Sequence, residues 1–107
     1  MNLKDLEYFA ALAKTRHFGQ AAIECGISQP ALSIQIKKLE DELAVKLFER
    51  TKKQVLLTAE GKELLDRVQT ILQEVQEFKN CAKQLSDPYR GKITIGAFPT
   101  LSPYLFP

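Results

Sequence analysis

Thiols and imidazoles are the side chains best suited to nucleophilic or metal chemistry, and the chain holds few of them. Cys25 and Cys81 are its two cysteines, and His17 is its one histidine. No pair among them has the spacing of metal ligands, and three residues are too few for a structural zinc site. No serine, cysteine or carboxylate is placed to work with His17. The sequence therefore predicts no catalytic residue, metal or cofactor, with His17 in a surface turn and Cys25 a small core residue.

A different chemistry, hydrogen bonding to nucleic-acid bases, is open to the stretch that follows Ser28. One face of a predicted helix is apolar, with residues 4, 3 and 4 positions apart: Leu32, Ile36, Leu39 and Leu43. The opposite face is predicted to enter the major groove of DNA through Gln29, Pro30, Ser33, Ile34 and Lys37. The Gln29 amide can pair with adenine, and Ile34 can pack on a thymine methyl group. The alternative interpretation is a solvated polar face with one stray apolar residue.

Positive charge is concentrated next to this helix, although the net charge of the chain is only +2. Six cations crowd into 17 positions: Lys37, Lys38, Lys46, Arg50, Lys52 and Lys53. Arg50, Lys52 and Lys53 lie around a junction between two short apolar stretches, 46–50 and 54–57, that predict a two-stranded hairpin. We expect its basic tip to contact backbone phosphate or the minor groove. The alternative is a charged hairpin edge that resists aggregation.

Two predicted helices precede these residues and would position them. The first spans about 3–14 and is capped by Asn2; the second spans about 19–25 and ends at Gly26, which can adopt a positive φ. Ser28 can cap the third helix. Their predicted buried residues are Leu3, Leu6, Phe9, Ala10 and Ala13 on the first helix and Ala21, Ala22 and Cys25 on the second. A helix, a tight turn and a capped helix are typical of a helix-turn-helix, and the hairpin makes it winged.

A single long helical pattern then runs from Thr58 to about Ser86. Its apolar residues are spaced 4, 3, 4, 3, 4 and 3 apart: Leu64, Val68, Ile71, Val75, Phe78, Ala82 and Leu85. This heptad seam predicts a dimerisation helix of roughly 40 Å, and Leu65 and Leu72 widen the stripe. The expected fold is mainly α: a winged helix-turn-helix of three helices and a two-stranded wing, followed by a long dimerisation linker helix.

The N-terminal stretch is amphipathic and interrupted by charge, so it fits neither an export signal nor a membrane span. Two lone thiols without a signal peptide fit a reducing compartment. The chain is therefore expected to be cytoplasmic, with no membrane partner.

Together these residues resemble the LysR-type transcriptional regulators, and the resemblance covers the whole chain. The motifs that carry it are 5–9, 17–18, 21–22, 28–33 and 36–40 in the helix-turn-helix, 47–50 in the wing and 57–61 at the linker. Residues 5–8, 16–18, 95–100 and 103–105 are most similar to the peroxide-sensing subgroup. Many relatives have arginine where this chain has Ile34, so a base contact there cannot be carried over.

The resemblance implies double-stranded DNA as partner, with homodimers, often paired into tetramers, on interrupted inverted repeats. It also implies antiparallel linker helices and a large effector-binding domain. Residues 92–96 resemble the first strand of that domain. The expected domains are 1–58 for DNA binding, 59–87 for the linker helix and 88–107 for a hinge and that first strand. The chain is thus expected to be a fragment, and a small-molecule or redox effector would act only through the missing domain.

Two rival functions use the same residues differently. A dimeric coiled-coil scaffold would present its helical head to another protein. A thiol redox enzyme would use Cys25 or Cys81, but the sequence lacks an adjacent base and a Cys-x-x-Cys pair.

Overall fold

The computed structural model describes residues 1–51 and 54–86 of the chain. Its elements are α1 (Leu3–Thr15), α2 (Phe18–Cys25), α3 (Gln29–Leu43), β1 (Phe48–Arg50), β2 (Val55–Leu57) and α4 (Ala59–Ser86). Contacts divide the chain into a head unit, Met1–Leu72, and a second unit that begins at Gln73 within α4. The predicted class is confirmed: three helices, a two-stranded hairpin and a long helix. The expected hinge and strand, 88–107, and the wing lysines Lys52 and Lys53 lie outside the described residues.

Side chains just before each helix satisfy the free backbone amides of its first turn. Asn2 and Asp5 form a reciprocal capping box at α1, where the Asp5 amide donates to Asn2 Oδ1 at 3.0 Å. At α3 the Ala31 amide donates to Ser28 Oγ at 3.2 Å. At α4 the Gly61 amide donates to the hydroxyl of Thr58 at 2.9 Å. The predicted caps are confirmed.

Three helices end at a residue in the left-handed region. Gly26, predicted for this role, has φ 72° after α2. Arg16 and Ala44 adopt φ 57° and 56° after α1 and α3 without being glycines. A side chain with a Cβ pays a steric cost in this conformation, so tertiary contacts must hold both turns.

The buried core joins α1, α2, α3, the hairpin and the first half of α4. Its members are Leu6, Phe9, Leu12, Ala21, Ala22, Leu32, Ile36, Leu39, Leu47, Phe48, Val55 and Val68. The rings of Phe9 and Phe48 meet edge to face with centroids 5.5 Å apart, an arrangement that aromatic quadrupoles favour.

The core prediction is wrong at Leu3 and Cys25, and it omits Leu12. Leu12 is fully buried and Leu3 is 44% exposed, because the buried stripe of α1 steps by three through Leu6, Phe9 and Leu12 and leaves the first turn outside. Cys25 is only partly buried, because it is the last residue of α2 and the chain turns away at Gly26.

The two short strands pair antiparallel, with Phe48 opposite Leu57 and Arg50 opposite Val55. The turn lacks glycine and asparagine, and Thr51 closes it. Its amide donates to the Gln54 carbonyl at 2.9 Å, and the Gln54 amide donates back to Thr51 Oγ1 at 3.1 Å. The Val55 amide also donates to the Arg16 carbonyl at 3.5 Å, which ties the hairpin to the end of α1.

The first part of α4 packs on the head unit. Gly61 is buried, and a Cβ there would overlap the carbonyl oxygen of Leu47, so the helix approaches the hairpin backbone closely. Val68 belongs to the core, with Leu64, Leu65 and Leu72 partly buried against it. None of the described helices combines the length and hydrophobicity that a bilayer crossing needs.

Candidate nucleic-acid interface

The outer face of α3 displays the side chains predicted to read DNA. Gln29, Pro30 and Lys37 are exposed, and Ser33 is half-buried. Ile34 is 55% exposed, an unusual position for a branched apolar side chain. The inner face, through Leu32, Ile36 and Leu39, belongs to the core. The structure therefore brings the five predicted groove residues together on one outer face of a helix that is anchored from behind.

The first turn of α2 lies directly beside the start of α3. A Cβ at Gly19 would lie 2.9 Å from His17 Cε1 and 3.7 Å from Gln29 Oε1. His17 is the N-cap of α2, because its Nδ1 accepts the Gln20 amide at 3.1 Å. The neutral ring that makes this bond carries its proton on Nε2. The sequence identified His17 as a turn residue and missed its role as a cap; the signal was its position just before an apolar helical run.

Arg50 ends β1 and lies against α2. Its guanidinium carbon is 4.6 Å from the centroid of the Phe18 ring, within cation–π range. Within residues 1–51 and 54–86 Arg50 forms no salt bridge, so its charge is available to an outside anion. Of the three predicted wing cations, only Arg50 falls in the part of the chain that the structure describes.

Glu40 is a positioning residue that the sequence did not reveal. Its Oε2 accepts the backbone amides of Leu47 at 2.8 Å and Phe48 at 3.2 Å. These charge-assisted bonds hold the entry to β1 against α3, so they set where the hairpin leaves α3. The only available signal was an acidic residue beside the buried stripe of α3.

The two cysteines differ in their surroundings, and Cys25 is the one that is partly buried. Burial raises the pKa of the Cys25 thiol above its ordinary value, and the nearby Glu24 and Glu7 carboxylates raise it further against a smaller opposing effect of Lys4. A raised pKa keeps Cys25 protonated near neutral pH, so it is a poor nucleophile. Cys81 is exposed on α4. Among the described residues no group of three or more His, Cys, Asp or Glu side chains could hold a metal ion.

A groove of about 220 Å³ lies between the end of α1, the hairpin and the start of α4. Apart from Arg16 and Lys62 its lining side chains are apolar: Ala13, Phe48, Val55, Leu56 and Leu57. This lining places no acid–base pair and no nucleophile together, so it offers nothing for covalent or proton-transfer catalysis.

The predicted dimer seam on α4 divides into two parts. Val68 is buried and Leu64 partly buried within their own chain, against the head unit. Farther along, Ile71 is 42% exposed, Phe78 75% and Leu85 70%. Val75 is half-buried and Ala82 exposed. Only the later residues are therefore open to a second copy.

Comparison with known proteins agrees with this geometry. Residues 3–62 match the family described as bacterial regulatory helix-turn-helix protein, lysR family. Over all 107 residues the chain is 51% identical to the DNA-binding transcriptional dual regulator OxyR of Escherichia coli K12. Over the same span it is 48% identical to the hydrogen peroxide-inducible genes activator of Haemophilus influenzae. It spans 35% and 36% of their lengths, about a third.

A solved structure shows the same fold on DNA. The DNA-binding domain of BenM, in complex with benA site 1 DNA, superposes with a TM-score of 0.77 at 34% identity. The match covers 82% of this chain and 99% of the BenM chain. The winged helix-turn-helix and linker helix are thus a fold that BenM uses on DNA.

Proposed function

The chain belongs to the lysR family of bacterial regulatory helix-turn-helix proteins, and from this we propose that it reads promoter DNA for a hydrogen-peroxide-responsive regulator. One observation supports the proposal above the others. The face of α3 that carries Gln29, Pro30 and Ile34 is left open to solvent, whereas its opposite face is locked into the core. A helix held in this way can enter a major groove without losing its own packing.

Within this proposal the exposed residues have separate roles. Gln29 reads a base edge through its amide, and Ile34 packs against a thymine methyl group. Ser33 and Lys37 contact a base or the backbone, while Arg50, Lys52 and Lys53 neutralise phosphate beside the groove. Pro30 sits in the first turn of α3, where no intrahelical donor is needed, and shapes the approach to the bases.

The assembly is also part of the proposal. The uncovered part of the α4 seam, from Ile71 to Leu85, would pair with a second copy and place two recognition helices on an interrupted inverted repeat. In the full-length protein two dimers would pair into a tetramer. A small-molecule or redox effector would act through a domain beyond the described residues. The proposed function would be carried out in the bacterial cytoplasm, because the promoter DNA lies there.

The rival scaffold function is not favoured. The family match covers residues 3–62, which contain all of α1, α2 and α3 and the hairpin, and the relatives are DNA-binding regulators.

Footprinting on the promoter next to the gene of this protein tests the proposal. The 107-residue chain should protect an interrupted inverted repeat, with an affinity that falls steeply as salt rises, by a slope of about 0.9 for each phosphate neutralised. A scrambled duplex of equal length is the control. Equal affinity for both duplexes, or binding insensitive to salt, would contradict sequence-specific readout.

A further inference from the structure

The contact between Arg50 and Phe18 joins two elements that are far apart in sequence. Phe18 is the first residue of α2 and packs partly against the core; Arg50 is the last residue of β1. The guanidinium lies 4.6 Å from the ring centroid. Both side chains lie beside the turn of α2 in which Gly19 lies close to His17 and Gln29.

An isolated hairpin of two three-residue strands is weak by itself, and a long exposed arginine at its end is free to sample many rotamers. The Phe18 ring changes this by offering a negative face to a planar cation. Because one side of Phe18 is held by the core, the ring acts as a fixed platform. Arg50 is therefore ordered before DNA arrives, and less side-chain entropy is lost when it contacts a phosphate.

We propose that Phe18 is a positioning residue for DNA binding: its ring holds the Arg50 guanidinium in place for a backbone phosphate beside the groove that α3 enters. The proposal rests on the proposed function, since it concerns one contact within the same surface. It also makes the first turn of α2 the link between the base-reading Gln29 and the phosphate-binding Arg50. Phe18 itself does not need to touch DNA.

The test measures binding of the 107-residue chain to a fluorescent duplex of random sequence, across a series of salt concentrations. Phe18→Leu keeps an apolar side chain but removes the ring face, and we expect it to weaken binding about 2–5-fold. Phe18→Tyr keeps the ring and should restore binding to the wild-type value. Arg50→Ala should weaken binding and lower the salt slope by about one. When Arg50 is already alanine, adding Phe18→Leu should weaken binding no further, because the guanidinium that the ring positions is absent.

A second variant separates this role from packing. Phe18→pentafluorophenylalanine keeps the ring in place and withdraws charge from its face, so it should weaken binding as Phe18→Leu does. Thermal unfolding followed by circular dichroism monitors the fold of every variant. Wild-type affinity in the fluorinated protein would overturn the proposal. It would also be overturned if the double variant lost affinity by the product of the two single-variant factors, because the two residues would then act independently. Absence of DNA binding by the wild-type chain would instead overturn the proposed function.

Discussion

At the scale of single residues, the proposed interface separates side chains expected to reach bases from side chains expected to meet phosphate. Gln29 is exposed at the start of α3, whereas Arg50 is held against Phe18 at the edge of the hairpin. Base contacts carry sequence information, and phosphate contacts carry affinity that salt screens. The two kinds of contact should therefore respond differently to mutation.

If the Gln29 amide pairs with an adenine as proposed, Gln29→Ala should lose about 1–3 kcal/mol of discrimination at one base pair per half-site. Arg50→Ala should weaken binding to every duplex and flatten the salt slope by about one unit. Anisotropy titrations on the protected repeat and on its single-base variants measure both. Gln73→Ala, an exposed position on α4, is the control. Equal effects of Gln29→Ala and Arg50→Ala on cognate and random duplexes would refute this division.

The Cys25 thiol gives a prediction with a defined pH sign. Its pKa is raised in the folded chain, first by burial and then by Glu24 and Glu7. The contribution of the neutral thiol to stability is therefore complete below the pKa of an unfolded thiol, about 8.5, and is lost as pH rises through the higher folded value. As pH rises from the unfolded to the folded pKa, the free energy of unfolding of the wild type should fall relative to that of Cys25→Ala. Urea unfolding of both proteins at a series of pH values measures this difference. A difference independent of pH would contradict the raised pKa.

At the scale of elements, helix ends decide how α3 and the hairpin are oriented. Ala44, the residue after α3, has a left-handed φ of 56°, and its amide donates to the Asp41 carbonyl at 3.2 Å. Three residues later, at Leu47, the chain enters the segment held by Glu40. The geometry of this turn therefore sets the distance from α3 to the hairpin.

Ala44→Gly should stabilise the chain by up to about 1 kcal/mol. Relief of the steric cost of a Cβ in the left-handed region, roughly 1–2 kcal/mol, exceeds the entropy that glycine loses on folding. Chemical denaturation measures the change. Ala10→Gly, within α1, makes the same substitution at ordinary helical φ and should instead destabilise the chain. A loss of stability in Ala44→Gly would mean that the turn carries no strain.

At the scale of the whole molecule, the proposed dimer depends on the part of α4 that its own head unit leaves uncovered. Replacing Ile71 and Val75 together by aspartate should dissociate the dimer, because burying these unpaired groups costs several kcal/mol. Sedimentation velocity measures the association state. Asp substitutions at Gln69 and Gln76, exposed positions of the same helix, are the matched control. A double variant at Ile71 and Val75 that still sediments as a dimer would place the interface elsewhere.

Val68 provides a contrast within the same seam. It is 5% exposed within a single chain, so Val68→Asp should unfold the head unit as well as disturb assembly. Circular dichroism distinguishes this outcome from simple dissociation, which leaves the helices intact.

Peroxide should leave DNA binding by the 107-residue chain unchanged. Cys25 is kept protonated by its raised pKa, and Cys81 lies in α4 rather than among the residues proposed to read DNA. Operator affinity is measured before and after peroxide, with Cys25→Ser/Cys81→Ser as control. A reversible loss or gain of affinity that requires either cysteine would refute this expectation.

Local features of this protein could be predicted from the sequence, because they depend on residues three or four positions apart. The caps at Asn2, Ser28 and Thr58, the positive φ of Gly26 and the spacing of the α3 core face belong to this class. In each case the relevant hydrogen bond or apolar neighbour lies within one helical turn. The order of elements follows from the same short-range rules.

Other features were decided only by tertiary structure, because they join residues distant in the chain. The sequence pattern could not show that Glu40 holds the entry to β1, or that Phe18 faces Arg50. The heptad seam likewise gave no sign that Val68 is buried in its own chain while Phe78 is open. Periodicity identifies which face of a helix is apolar, but the surface that covers this face is determined by the path of the whole chain.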